Sequence, residues 1–316
     1  MARRIGSLLA AEAACRRASL DLCVIGGLFL GAAPAGAAAD SSAEPAGPPL
    51  SAAPPRVPAP QPPAGTLPTA PSGVPRPADA DAASYERCMK LARQDPAAAK
   101  AFAESWRDGG GAHPAEHCAA VALIGLRQYR PAATRLEALA QAMIHAPASL
   151  RADVLEQAGQ AWLLADDPQR AYAADGAALA FRPDDPDLLV DRAEAAGTAK
   201  MFDKALADLD RVLKAHPDRV DALIYRAAAY RALGRLDPGL SDAEKAVSLA
   251  PDSAAALLER GNLRSLKGDL DGARRDWQRV GAVAPGTPAD TASRANLAGL
   301  EKQEQQTSPA AANGRP

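Results

Sequence analysis

The stretch AVSLAPDSAAALLERG, residues 246–261, contains one helix-forming segment, a Pro-Asp break and a second helix-forming segment. Proline lacks a backbone amide hydrogen and disfavours helical geometry in the residue before it, so Pro251 is expected to end the first helix. Prolines recur 34 residues to either side, at Pro217 and Pro285, and again at Pro183. The break at Pro251 therefore belongs to a series with a fixed spacing.

Three further columns keep this spacing, one of leucine and two of small residues: Leu155, Leu189, Leu223 and Leu257; Gly159, Ala193, Ala227 and Gly261; and Ala171, Ala205, Gly239 and Ala273. Each unit is expected to hold two helices, A and B, joined by a short turn. Small residues let the two helices approach closely, and the leucine fills the interface with the neighbouring unit. An aspartate after the proline (Asp184, Asp218 or Asp252) precedes the next helix, where the helix dipole favours a carboxylate.

A 34-residue helix–turn–helix unit with these landmarks resembles the tetratricopeptide repeat (TPR). The resemblance covers four units: 152–185, 186–219, 220–253 and 254–287. The first aromatic column of the family reads Trp162, Ala196, Tyr230 and Arg264, and the second reads Asp175, Leu209, Ala243 and Trp277. These departures weaken packing locally and leave the register intact. The resemblance implies an all-α fold, a right-handed α-solenoid with a concave groove.

The flanking segments are assigned from their helical signals. Residues 84–151 are predicted to form an N-terminal helical cap with a degenerate TPR-like unit, in which Ala132 takes the second small position. Residues 288–304 are predicted to be a C-terminal capping helix that covers the last apolar face. Residues 305–316 are polar without periodicity, so a disordered tail is expected there.

Residues 1–39 are predicted to be a signal peptide. Basic residues such as Arg3 and Arg4 precede an apolar run at 22–33, and small residues then lead to cleavage after Ala37 or Ala39. Export to the periplasm follows from this assignment. The alternative is an uncleaved segment that anchors the chain in the inner membrane.

Residues 40–83 are predicted to be a disordered linker rich in proline and alanine. Thirteen of these 44 residues are proline and none is aromatic. Such a segment buries too little apolar surface to offset its ordering entropy, which favours a spacer. The alternative is a ligand for a proline-reading domain.

Composition and motifs favour a non-enzymatic protein. A net charge of −2 gives no sign of a nucleic-acid or membrane-surface binder. The sequence lacks a glycine-rich phosphate loop and a nucleophile elbow, so neither catalysis nor a cofactor is predicted.

The cysteines and histidines leave two alternatives open. If the signal is removed, Cys88 and Cys118 are the remaining cysteines, and a disulfide between them is favoured over two thiols. The bridge would stabilise the cap by roughly 3 kcal/mol in the chain-entropy model. The weaker alternative is a metal site built from His113, His117 and Cys118, although such sites need three or four ligands in fixed geometry.

The TPR resemblance also implies which positions line the groove: Asp153, Glu156, Gln160, Asp187, Val190, Asp191, Glu194, Ile224, Tyr225, Arg231, Leu258, Glu259 and Asn262. The family's clamp for chaperone C-termini uses Lys, Asn and Arg there, and the acidic or neutral residues of this chain do not match it. We expect a partner protein that presents a basic or amide-rich extended segment. The alternative is that these carboxylates only solubilise an alanine-rich surface.

The function predicted from these features is a non-enzymatic TPR scaffold or adaptor in the bacterial cell envelope. One alternative is an accessory subunit of an envelope enzyme or of a secretion or assembly machine. An enzyme or metal protein that uses the corner at 113–118 is less favoured. A cytosolic adaptor requires that the signal-peptide assignment be wrong.

Overall fold

The computed structural model describes residues 77–307, and this part of the chain is a succession of α-helices without a β-strand. The all-α prediction is therefore confirmed. The predicted signal peptide, most of the predicted linker and the end of the predicted tail lie outside the described residues.

Among the described residues, four helices precede the repeats: α1 (Pro77–Gln94), α2 (Pro96–Trp106), α3 (Ala112–Gly125) and α4 (Tyr129–Ala142). A π-helical turn at Arg107–Gly111 separates α2 from α3. Helix α1 begins earlier than the predicted boundary at Ser84. Its first turn reads PADADA, with proline in the first turn, alanine, and carboxylates at the positive end of the dipole, and all three suit a helix start.

Eight helices form the four repeat units, followed by a terminal helix: α5 (Ala148–Leu164) and α6 (Pro168–Leu179); α7 (Pro186–Thr198) and α8 (Phe202–Ala215); α9 (Val220–Ala232) and α10 (Leu236–Leu249); α11 (Ala254–Leu266) and α12 (Leu270–Val283); and α13 (Pro288–Thr307). The first helix of each pair is helix A and the second is helix B. In the last three units, helix B ends two residues before the repeated proline. The helix breaks therefore follow the 34-residue period.

The helices pack in chain order, and the two layers are not equivalent. Each helix A packs on its own helix B and on the helix B before it. Successive A helices also contact one another, from α5 to α13, more closely than successive B helices do in the described part of the chain. A stack whose A helices lie closer together curves towards them. The A helices therefore form the concave layer of an α-solenoid.

The core is continuous along this stack, from Ala120 in α3 to Leu300 in α13. The close approach of paired helices depends on the small-residue column. A Cβ atom added at Gly261 would lie 2.7 Å from Nε1 of Trp277, so a larger residue there would force α11 and α12 apart. A second, smaller core lies among α1, α2 and α3 and includes Cys88 and Cys118, whose Sγ atoms are 2.03 Å apart.

Charged pairs repeat with the same period as the core. A guanidinium on helix A binds a buried carboxylate on helix B through two hydrogen bonds in three units: Arg192 with Asp208, Arg226 with Asp242, and Arg260 with Asp276. Paired, hydrogen-bonded charges of this kind are costly to separate once they are desolvated. The first unit has alanine at both equivalent positions, Ala158 and Ala174.

The aspartates after the repeated prolines lie just before the next helix, and their side chains form ion pairs and do not cap it. Asp184, Asp218 and Asp252 lie one residue before the N-cap and pair with helix B of the following unit. Their partners also keep the 34-residue spacing: Arg211, Lys245 and Arg279. Capping falls instead to residues such as Asp185, whose side chain accepts from the amides of Asp187 and Leu188. The aspartates are exposed, so these ion pairs add little stability.

The turn between helices A and B needs one residue in the left-handed region of backbone space. This residue also follows the period: Asp166 (φ 57°), Lys200 (φ 61°), Gly234 (φ 71°) and Gly268 (φ 87°). Glycine adopts this conformation without the steric cost that a Cβ atom imposes. The turns of the third and fourth units are therefore better suited to their backbone than those of the first two.

We predict opposite effects for two glycine-to-alanine changes. Gly234→Ala should lower the free energy of unfolding by about 1 kcal/mol, because it places a Cβ atom at positive φ. Gly299→Ala should raise it by about 0.5 kcal/mol, since Gly299 is helical and has no atom within 4 Å of the added Cβ. Chemical denaturation of both variants measures the difference. Equal effects at the two positions would contradict the backbone argument.

Candidate protein-binding groove

The concave layer does not expose all the residues that the family resemblance implied. Val190, Ile224, Leu258 and Glu259 are buried, with 6% exposure or less. They fail as contact residues because successive A helices pack against each other and enclose them in the seams between units. Their assignment to the groove surface is wrong, and they belong to the core of the solenoid.

Two polar residues predicted for the groove pair with each other. The carboxylate of Glu259 on α11 is completely buried and accepts from Nε and Nη2 of Arg231 on α9, at 2.6 and 3.2 Å. Such a pair holds two units in register, and loss of either partner would leave a buried charge uncompensated. Arg231 therefore connects the third and fourth units within the chain.

Asn262 lies where α13 closes the end of the stack. Its Oδ1 accepts from Nε1 of Trp277 at 3.2 Å and from Nδ2 of Asn296 at 2.9 Å. The terminal helix thus occupies the place that another helix A would take. Asn262 anchors this helix, so the accessible part of the groove is concentrated in the first three units.

Several carboxylates of the first two units already have arginine partners. Arg182, in the turn after α6, contacts Asp153 at 3.0 Å and Glu156 at 3.2 Å. Arg219 contacts Asp187 at 2.8 Å. Burial raises the pKa of Asp153, and the charge of Arg182 opposes this shift. The groove is therefore less negative than its count of carboxylates indicates.

The remaining predicted residues keep part of their surface on the concave layer. Gln160, Asp191, Glu194 and Tyr225 are half-buried on α5, α7 and α9. They combine amide, carboxylate and phenol groups on successive helices. With Glu156, they supply the polar lining that an extended peptide would meet.

One residue of this region was not predicted as a site residue. Asp175 on α6 is 1% exposed, and neither carboxylate oxygen has a hydrogen-bond partner among the described residues. It packs directly against Gly159, where an added Cβ atom would lie 2.1 Å from Oδ1. A signal was present in the sequence, because Asp175 stands in a column that holds apolar residues in the other three units.

The electrostatic surroundings of Asp175 are strongly unfavourable to its charged form. Burial raises the pKa of Asp175 well above its ordinary value, and the nearby carboxylates of Asp191, Glu156 and Glu194 raise it further. The charge of Arg192 acts in the opposite direction. The neutral acid is therefore favoured over a wider pH range than for an exposed aspartate.

The corner at 113–118 does not gather metal ligands. His117 accepts from the hydroxyl of Tyr85 at 2.9 Å, and its Nε2 lies 3.0 Å from Oε1 of Gln157. The Sγ atom of Cys118 lies 2.03 Å from that of Cys88 and is therefore not directed at the histidines. Within residues 77–307, no three histidine, cysteine or acidic side chains converge in a way that could hold a metal ion. His117 instead connects α1, α3 and α5.

A scan against protein-family models and a search of curated proteins find no match to this chain. Solved structures do resemble it. A tetratricopeptide repeat protein from Parabacteroides merdae has a TM-score of 0.54 at 15% identity, covering 63% of this chain and 79% of its own. MamA from Desulfovibrio magneticus has a TM-score of 0.45 at 22% identity, covering 52% and 90%. YrrB, described as a TPR protein with an unusual peptide-binding site, has a TM-score of 0.43 at 17% identity, covering 57% and 91%.

Stacked helix pairs with a polar concave layer define a helical-repeat protein. Its 34-residue unit and its similarity to the Parabacteroides structure show that the fold is that of a tetratricopeptide-repeat protein. The predicted TPR architecture is confirmed. None of the helices in the described part is long and apolar enough to span a bilayer.

We predict that Asp175→Asn changes the pH dependence of stability. Because the folded pKa of Asp175 lies above its ordinary value of 3.8, the native state binds more protons than the unfolded state above that pH. The wild-type free energy of unfolding should therefore fall, relative to the variant, as the pH rises from about 4, by at most about 1.4 kcal/mol per pH unit.

Urea denaturation of both proteins between about pH 4 and about pH 8 measures this difference. Asp203→Asn, at an exposed position on α8, is the matched control and should follow the wild type. Parallel curves for the wild type and Asp175→Asn would contradict the assignment of a buried acid.

Proposed function

We propose that this chain is a non-enzymatic scaffold or adaptor that binds partner proteins in the bacterial cell envelope. The observation that carries the proposal is the row of half-buried polar side chains across α5, α7 and α9, on the layer where successive A helices meet. Peptide recognition by a groove needs such a row, because backbone and side-chain groups of an extended segment must find partners along several helices.

The preferred partner presents a basic or amide-rich extended segment. Glu156, Asp191 and Glu194 supply carboxylates, and Gln160 supplies an amide, on the concave layer of the first two units. Complementary charge contributes mainly specificity and association rate. Arg182 and Arg219 reduce the negative charge of this region, so the expected selectivity depends on position within the groove rather than on net charge.

We predict that Gln160→Lys with Glu194→Lys prevents partner capture. The double variant places two cations on the groove and should reduce crosslinked recovery of a partner from intact cells on the order of tenfold, equivalent to about 1.4 kcal/mol. A matched control, Gln169→Lys with Asp203→Lys, makes the same charge change at exposed positions on the B helices of the same units.

The control should recover the partner as well as the wild type does. Equal recovery by the groove variant would contradict the groove proposal, and equal loss in both would indicate a nonspecific charge effect. A stoichiometric partner that survives native purification would favour the accessory-subunit alternative over a scaffold with several partners.

Export to the periplasm is the second element of the proposal. It is supported by the basic start, the apolar run and the small residues of the first 39 positions. The placement of Cys88 against Cys118 also suits an oxidising compartment, where disulfides persist.

We predict that mass spectrometry of the protein from the periplasmic fraction finds a chain that begins after Ala37 or Ala39 and contains no alkylatable thiol. Reduction should then expose two thiols, at Cys88 and Cys118. An intact N-terminus in the membrane fraction would support the anchored alternative. Two alkylated cysteines before reduction would contradict the bridge.

A further inference from the structure

Four carboxyl groups meet at the junction of the first two units, and we call them the carboxyl cluster. Glu156 comes from α5, Asp175 from α6, and Asp191 and Glu194 from α7. The other three act on Asp175 electrostatically. Asp175 packs against Gly159, and Glu156 lies one turn earlier on the same helix as Gly159. Three of the four are half-buried on the concave layer, and Asp175 is buried.

The buried member of the cluster points to a missing counter-charge. Almost all buried polar side chains in proteins have a hydrogen-bond partner, and Asp175 has none for either oxygen among the described residues. Gly159 leaves no Cβ atom in the space that Oδ1 occupies. The local backbone is therefore shaped around a carboxyl group that its own neighbours do not satisfy.

Two arginines near this cluster are already paired with carboxylates. Arg192, which acts electrostatically on Asp175, donates to Asp208 from Nε at 2.8 Å and from Nη2 at 2.6 Å. Arg182 lies at the edge of the cluster and is shared among Asp153, Glu156 and Asp185.

The repeat itself shows what the first unit lacks. In the other three units, an arginine on helix A satisfies an aspartate on helix B. The first unit has Ala158 at the helix A position, while its helix B carries Asp175 one residue beyond the usual aspartate position. The first unit therefore has a carboxyl group on helix B, Asp175, and no guanidinium at the matching position of helix A, where Ala158 stands.

We propose that the carboxyl cluster is a binding site for one cationic side chain, arginine or lysine, of the segment held in the groove. The site rests on the proposed function, since it needs a peptide on the concave layer. The cation contacts the half-buried carboxylates, and its charge favours ionisation of Asp175 below them. Asp175 then releases its proton to solvent, so binding strengthens as the pH rises. A guanidinium is the better ligand because it can bind carboxylates through two parallel hydrogen bonds.

The test uses a rhodamine-labelled hexa-arginine peptide, with hexa-lysine and uncharged hexa-citrulline for comparison. Anisotropy titrations at about 0.15 M ionic strength measure Kd for the wild type, Asp175→Asn and the exposed control Asp203→Asn. Calorimetry in two buffers of different ionisation enthalpy measures protons released on binding.

We expect hexa-arginine to bind the wild type at least tenfold more tightly than hexa-citrulline, with affinity that rises with pH and with proton release. Asp175→Asn should lose about tenfold in affinity at neutral pH and should lose both the pH dependence and the proton release. Asp203→Asn should behave like the wild type. Glu194→Gln, at a half-buried position, provides a second variant if Asp175→Asn does not fold, and it should weaken binding severalfold.

Three outcomes would overturn the site: no binding of hexa-arginine, equal binding of hexa-citrulline, or unchanged affinity and proton release in Asp175→Asn. If partner capture still depends on the groove in that event, the proposed function stands without the cation site. If the groove variant recovers the partner as well as the wild type does, the proposed function fails, whatever the affinity for hexa-arginine.

Discussion

The close approach of two short helices at one small residue is the constraint on which the rest of this structure depends. Most helices of the repeat units have 12 to 14 residues and are marginal by themselves in water, so they require the burial that packing supplies. Trp277 shows how tight the approach is, since its indole fills the space beside Gly261 that a Cβ atom would need. A pair formed in this way still exposes an apolar face, and that face is buried only when the next pair stacks on it. The continuous core from Ala120 to Leu300 follows from this requirement.

Stacking also determines which side chains remain available for binding. Because successive A helices lie closer together than successive B helices, the fifth position of each of the last three units enters a seam, as with Val190 and Leu258. Polar residues at the seams are then satisfied within the chain, as Glu259 is by Arg231. Fewer groove positions are therefore exposed to a partner than the family resemblance implies. Most of the accessible polar residues lie in the first two units, and α13 closes the other end.

The sequence was sufficient for the architecture and insufficient for the polar contacts. Period, helix pairs and proline breaks depend on local propensity and on spacing, which a single chain displays. The partner of a charged side chain depends on three-dimensional placement, and Arg182 in a turn gave no sign that it would reach Asp153 and Glu156. The pairing of Arg226 with Asp242 was easier to predict from the sequence, because both residues recur every 34 positions in three units. The 34-residue spacing of these charged residues predicts the ion pairs in the same way that the spacing of leucine and proline predicts the helix pairs.

Asp175 is the point at which the repeat departs from its own rule. Leu209, Ala243 and Trp277 show that an apolar side chain fills this position in the other units, and burial of a carboxyl there costs stability that an apolar residue would not. Most positions carry residue types that suit the fold, and a residue that lowers stability is expected where function requires it. The exception coincides with three further carboxyls on the concave layer and with the unit that has Ala158 in place of the helix-A arginine. A cation supplied by a partner would give the buried acid the counter-charge that its own unit does not provide, which an explanation by surface solubility alone does not.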